Sequence, residues 1–258
     1  MLRIFRTIFI QRQVLWHMTI KEWKAKYVNS FLGIWWASIT PILVMLAISF
    51  VFTKVINIDI DNFPVFSLAG IIPWFFFSTS LSEVTVSFVS KSNLFKQFNF
   101  PYEFIPVSVI LSNFLNFILG FLFLVLIFYF SNPQVLYVIL WLPVIIFAHL
   151  IFTVGIGLLF ACINIFFRDL SHLLGVLLLF WFWMTPIFYS LEMVPASYRW
   201  ICLVNPMTIY VELYRDVLFR AVIPSAAHLL LAFSLSLFSL FAGYLIFNKV
   251  EHHIVKRI

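Results

Sequence analysis

The chain is written in long apolar runs separated by short polar breaks. Six stretches, about 34–57, 66–89, 106–130, 138–163, 172–190 and 228–247, are long and apolar enough to cross a hydrocarbon layer as helices, a task that takes about 20 such residues. A transmembrane β-barrel would show short segments alternating apolar and polar instead, so the pattern predicts an all-α integral membrane fold with six transmembrane helices. Two further stretches break the rhythm. In residues 3–27, Phe5, Phe9, Trp16, Ile20, Trp23 and Tyr27 share one stripe, with Arg6, Lys21 and Lys24 away from it; this predicts an N-terminal amphipathic helix lying in the membrane interface. Arg12 interrupts that stripe, a position suited to lipid phosphate or to a phosphorylated ligand.

Residues 191–227 are too polar to span as one helix and hold Pro195, Asn205-Pro206 and Pro224. They predict a re-entrant segment between spans five and six, which dips part-way into the outer leaflet under cover of protein. Asn205 before Pro206 suits a helix start, because Asn accepts from free N–H groups and proline fits the first helical position. On a helix over 206–220, Glu212 and Arg215 are three apart and can pair.

Composition removes the other classes. The chain is 64% apolar and 10% charged, with 34 Phe and a mean hydropathy of +1.08, whereas soluble domains are roughly 45–50% apolar and about 25% charged. A soluble globule, a disordered chain and a disulfide scaffold are all excluded. Cys162 and Cys202 read as two buried small hydrophobes.

The basic residues give an orientation. Arg3, Arg6, Arg12, Lys21, Lys24 and Lys26 precede the first span, Lys91 and Lys96 lie in the second connection, Arg168 in the fourth, and Lys249, Lys256 and Arg257 in the tail. Lys and Arg are retained on the cytoplasmic side, which places both termini there. The pI of about 9.4 then reflects topology and contact with anionic membrane lipid rather than nucleic acid.

Little chemistry is written into the chain. No glycine begins a G-x-x-x-x-G-K-[ST] phosphate loop, Gly155-Ile156-Gly157 reads as close helix packing, and the six histidines form no metal set. Asp59-Ile60-Asp61 has a metal-binding spacing used by glycosyltransferases, but falls in a short external loop away from cytosolic nucleotide sugars. Glu83 is an intramembrane carboxylate flanked by Ser78, Thr79, Ser80, Ser82, Thr85 and Ser87; that stripe either faces water in a conduit or binds neighbouring helices. The aromatics Trp35, Trp36, Trp74, Phe75, Phe76, Phe77, Trp181, Phe182, Trp183 and Tyr189 either face lipid or offer flat rings on which a sugar polymer stacks and slides.

Four stretches carry a resemblance. Lys26-Tyr27-Val28-Asn29-Ser30-Phe31-Leu32-Gly33-Ile34-Trp35-Trp36 with Pro41, the segment Lys96 to Pro106, Phe167-Arg168-Asp169-Leu170, and Thr185-Pro186-Ile187-Phe188-Tyr189 followed by Pro195 and Asn205-Pro206…Tyr214-Arg215 resemble, in order, the membrane subunit of ABC-2 class ATP-binding-cassette exporters. The likeness is to the O-antigen, capsule and teichoic-acid branch, although Thr185 stands where Ser is usual there. It implies one transmembrane domain over 1–258 in the cell inner membrane, forming a homodimer with two copies of a separate ABC ATPase. It also implies no cofactor in this chain, with ATP and Mg on the partner, and a polyprenyl-diphosphate-linked polysaccharide as cargo in a channel at the subunit interface.

On that reading the segment 91–104 is the ATPase-coupling socket, through Lys91, Lys96, Phe98, Phe100, Pro101, Tyr102 and Glu103. Arg12, Lys24, Lys26 and Tyr27 meet the lipid diphosphate, and Trp35, Trp36, Trp74, Trp181, Trp183 and Tyr189 line the channel. Asn205, Pro206, Glu212 and Arg215 form the external gate. A drug or small-lipid exporter of the same fold is the first alternative. A polyprenyl-phosphate glycosyltransferase is the second, disfavoured because Glu22, Glu103, Asp169 and Glu251 are scattered.

Overall fold

The computed structural model describes residues 10–92 and 101–257, and the regular structure among them is helical. Helix α1 covers Arg12–Ala25. A tight turn at Gly33–Trp35 leads into α2, Trp36–Phe50, which a π-helical turn prolongs over Val51–Val55. Then follow α3, Phe63–Thr85; α4, Phe104–Ser131; α5, Leu142–Phe166; α6, Leu170–Met184; α7, Arg199–Val204; α8, Pro206–Leu218; and α9, Ala226–Arg257.

Among the described residues, five stretches are long and apolar enough to cross a membrane: Gly33–Val55, Phe63–Thr85, Phe104–Ser131, Val135–Phe166 and Ala226–Glu251. They coincide with five of the six expected runs. The sixth, 172–190, is corrected. It is helical only to Met184, because Thr185 precedes Pro186 and takes extended backbone at φ −86°, ψ 131°, the conformation a following proline imposes. At 1.5 Å per residue α6 is about 22 Å long, short of the roughly 30 Å hydrocarbon layer.

The chain recrosses the bundle here all the same. Ser236 donates to the Ala148 carbonyl at 2.7 Å and Ser239 to the Phe152 carbonyl at 3.3 Å, so α5 and α9 run parallel. Glycines make that approach possible: a Cβ on Gly155 would collide with the Ser239–Leu240 backbone, and one on Gly243 with the Gly155 carbonyl. Two parallel helices demand a return between them, which α6 and the buried, non-helical Thr185–Phe188 provide.

α3 is the centre of the bundle, 78% buried along its apolar stretch, while the stretches of α2 and α9 are each 22% buried and form the periphery. α4 runs antiparallel to α3, with Asn113 bonded to Glu83 at one end and Asn62 to Ser131 at the other. We call the end that holds α1 and Glu83 the near end and the end that holds Asn62 and α8 the far end. Pro41 removes the N–H that Ala37 would use within α2, and Gly120 lets the Ala37 carbonyl lie against α4, where a Cβ would stand 2.9 Å from its oxygen.

Within the expected interface helix 3–27, Arg12–Ala25 is helical as α1, and residues 3–9 lie outside the described residues. From the aromatic stripe, Trp23 and Tyr27 are half-buried and reach Asn116 of α4. Leu15 and Thr19 are buried and Trp16 is exposed, Leu15 packing with Phe104 and Val107 of α4.

Candidate functional site

At the near end α1 is fastened to the bundle by polar contacts. Lys26 Nζ lies 2.6 Å from Glu83 Oε2 and donates to Asn113 Oδ1 at 2.6 Å, while Asn113 donates to the same Glu83 oxygen at 2.8 Å. Trp23 Nε1 and the Tyr27 hydroxyl both donate to Asn116 Oδ1, each at 2.7 Å. A second ion pair joins Lys91 Nζ to Glu22 Oε2 at 2.6 Å. Burial draws the Lys91 ammonium below its ordinary range, against the pull of Glu22. Burial, helped by Glu83, raises the Tyr27 phenol.

These contacts explain the polar stripe around Glu83. Thr85 and Ser87 are buried and donate to carbonyls of their own turn, at Leu81 and Val84. Thr79, Ser82 and Glu83 lie on the exposed side of α3. Beside them, between α1, α2, α3 and α4, opens a cavity of about 360 Å³ reached by Lys26, Trp36, Thr40, Phe75 and Asn116.

Of the residues expected to meet a lipid diphosphate, Lys26 and Tyr27 join this cluster, whereas Arg12 and Lys24 stand on the exposed side of α1. Of the expected coupling segment, Lys96, Phe98 and Phe100 fall outside the described residues. Lys91 is paired with α1, Pro101 and Tyr102 are half-buried, and Glu103 is 6% exposed at the foot of α4 rather than at an open rim.

The far end is built around Arg215. Asn205 caps α8, its side-chain oxygen accepting from Met207 N at 3.0 Å and from Trp181 Nε1 at 2.7 Å, while its amide donates to Thr185 Oγ1 at 2.9 Å. Pro206 occupies the first turn. Arg215, fully buried, donates Nη1 to Glu212 Oε1 at 2.9 Å and Nη2 to the Ile187 carbonyl at 2.6 Å, with its guanidinium 3.7 Å over the Phe66 ring. Glu212 Oε2 also accepts from Arg220 Nη2 at 2.8 Å, and Arg220 Nη1 pairs with Asp216 at 2.6 Å. The non-helical backbone after α6 thus has its carbonyl satisfied by a side chain, the condition for irregular chain at membrane depth.

The expected channel aromatics divide. Trp35, Trp36 and Trp183 are about half exposed; Tyr189 is partly buried and donates to the Trp183 carbonyl at 3.0 Å. Trp74 is buried, its ring 6.4 Å from that of Trp181. Cys162 and Cys202 are free and buried.

Sequence reading missed Asn113 and Asn116, although two asparagines inside an apolar run are themselves a signal. It also missed Arg220 as the second partner of Glu212. His149 is fully buried with its ring stacked 4.8 Å from Tyr210.

Comparison with known proteins adds the following. The profile of the ABC-2 type transporter family matches residues 13–219. The chain is 33% identical over 261 residues, covering all of both chains, to the O-antigen export system permease protein RfbA of Myxococcus xanthus. It is 29% identical, over 91% of each chain, to the protein of that name from Klebsiella pneumoniae. It is also 25% identical, over 94% of itself and 95% of the relative, to the polysialic acid transport protein KpsM of Escherichia coli.

Proposed function

We infer that this chain, which belongs to the ABC-2 type transporter family, is the membrane permease subunit of an ATP-driven exporter of lipid-linked, O-antigen-type polysaccharide. The observation that carries this reading is the end-to-end likeness to O-antigen export permeases. It moves its cargo from cytoplasm to periplasm across the cell inner membrane, works as a homodimer, and takes its energy from two copies of a separate ABC ATPase. The sequence without a phosphate loop agrees with a motor on another chain. The near end, which holds most of the basic residues, is then cytoplasmic.

The geometry supports specific roles. Polar groups facing lipid tails are costly, so the exposed Thr79, Ser82 and Glu83 favour a water-lined passage beside α3, with Trp35, Trp36 and Trp183 offering rings to the sugar and Trp74, Trp181 and Tyr189 standing behind Trp183. Arg12 and Lys24 suit the carrier diphosphate, with Lys26 and Tyr27 bracing the helix that presents them. Residues 91–104 receive the ATPase. The buried Asn205, Glu212 and Arg215, with Pro206, hold the exit shut.

Coexpression with the cognate ATPase, followed by reconstitution, tests the reading. ATP-dependent transfer of lipid-linked polysaccharide into the vesicle lumen is expected. Transfer by this chain alone without nucleotide, or ATP-driven movement of small lipids but not of the polymer, overturns it.

A further inference from the structure

His149 of α5 and Tyr214 of α8 lean towards each other across the core. α4 ends at the far end, where Ser131 meets Asn62, so α5, which follows it, starts there and runs inward. α8 runs the other way. At its start Asn205 meets Trp181, whose ring lies 5.0 Å from Phe77 midway along α3. Just past its end, Phe219 lies 5.4 Å from Phe66 in the first turn of α3. Side chains tilt towards the N-terminus of their own helix, which turns His149 outward to the far end and Tyr214 inward. Their rings meet 5.9 Å apart at 70°.

Both side chains are fully buried. Among the described residues, neither nitrogen of the His149 ring nor the Tyr214 hydroxyl has a hydrogen-bond partner. Buried polar groups are almost always paired, and a dry core would carry the desolvation penalty of each of these atoms. The polar neighbours are already engaged. The Tyr210 hydroxyl bonds to Ser236 at 2.7 Å and to the Ala232 carbonyl at 3.0 Å, and the Thr153 hydroxyl donates to the His149 carbonyl at 2.8 Å. Nor has the imidazole freedom to turn towards another partner. Tyr210 stacks on it at 4.8 Å, and Phe76 meets it at 90° with ring centres 5.2 Å apart.

The unpaired groups select the ligand. A neutral imidazole carries one donor and one acceptor nitrogen, and a phenol both donates and accepts. The rings around the pair, Phe76, Phe117 and Phe121, offer no countercharge to an ion. The fitting molecule is small, neutral and able to donate and accept at once. Water does this with two to four partners in a space of about 10–15 Å³. Phe117 and Phe121 meet Tyr214 steeply, at 85° and 67°, and rings packed edge-on leave corners that stacked rings would close.

We propose that one structural water is held between His149 and Tyr214 and hydrogen-bonds α5 to α8 in the core of the bundle. The site goes beyond the export reading and does not depend on it.

The test uses the chain assembled with its ATPase partner in deuterated lipid bilayers, with isotope-labelled histidine and protonated water. Solid-state NMR reads the transfer of magnetisation from water protons to the ring nitrogens of His149, whose signals are assigned by their absence from His149→Phe. A strong water contact is expected, and it is lost in Tyr214→Phe, which keeps the ring and removes only the oxygen. Thermal unfolding gives a second measurement that needs no assignment. With a bridging water, His149→Phe and Tyr214→Phe each strand the water and the remaining partner, so each lowers the Tm and the double variant regains part of the loss. In a dry core each single change removes an orphaned polar group and raises the Tm. No water contact at His149 in the parent, a contact undiminished by Tyr214→Phe, or a raised Tm in both single variants overturns the proposal, whatever a transport assay gives.

Discussion

Lys26 and Glu83 stand 57 positions apart in the chain and meet at 2.6 Å, with Asn113 bonded to both. The pair clips α1 onto α3 and α4. Its side chains are 20% and 44% exposed, so the ion pair itself contributes about 1 kcal/mol. Lys26→Glu is expected to lower thermal stability, and Lys26→Glu with Glu83→Lys to recover part of it. A double-mutant cycle with no coupling would mean that the clip does not form.

Arg215→Lys is not a conservative change. One ammonium cannot reproduce the fork that reaches Glu212 and the Ile187 carbonyl while lying flat on Phe66. With a buried carbonyl left unpaired, the variant is expected to lose about 2–3 kcal/mol. Thermal unfolding of detergent-solubilised protein measures this, and an unchanged Tm in Arg215→Lys counts against the assigned geometry.

Asn205→Ala removes a helix cap, at about 1 kcal/mol, and the partner of Trp181 with it. The expected signature is a lower Tm with a changed near-ultraviolet dichroism of tryptophan. Asn205→Asp keeps the acceptor for Met207 N and Trp181 but loses the donor to Thr185 and buries a carboxylate, so it should restore the tryptophan signal and only part of the Tm.

Gly155→Leu and Gly243→Leu are expected to cost about 3 kcal/mol or more, since each side chain would meet helix backbone that cannot give. Gly175→Ala on α6 is the contrast: nothing lies within 4 Å of its added Cβ, and expression and Tm should match the parent. Equal behaviour of the three would disprove the close approach of α5 and α9.

Phe100→Ala combined with Tyr102→Ala is expected to abolish substrate-stimulated ATPase activity of the assembled complex while membrane insertion persists. Parental stimulation in that double variant would remove residues 91–104 from the coupling role.

Five spans were legible because each writes about 20 apolar residues without interruption, a signal set by bilayer thickness alone. The sixth run looked equally apolar, but Pro186 ended its helix and the remaining span is built from chain whose cover comes from Arg215, 28 positions later. The packing face of α1 was not legible. Aromatic spacing marked the edge of an interface helix, while the side that packs deepest holds Leu15, Thr19, Glu22 and Lys26, about a quarter turn away. Glu22 and Lys26 look solvated in sequence, since their partners Lys91, Glu83 and Asn113 lie far along the chain. The Asn205 cap was readable because its partner is two residues on.

The glycine seam between α5 and α9 has a mechanical result. Backbones that close cannot roll or slip past one another without collision, so these two helices travel as one stiff mast. The widening that lets a bulky cargo through is expected from the staves around it, among them α2 and α6, whose outer flanks are exposed within their own subunit.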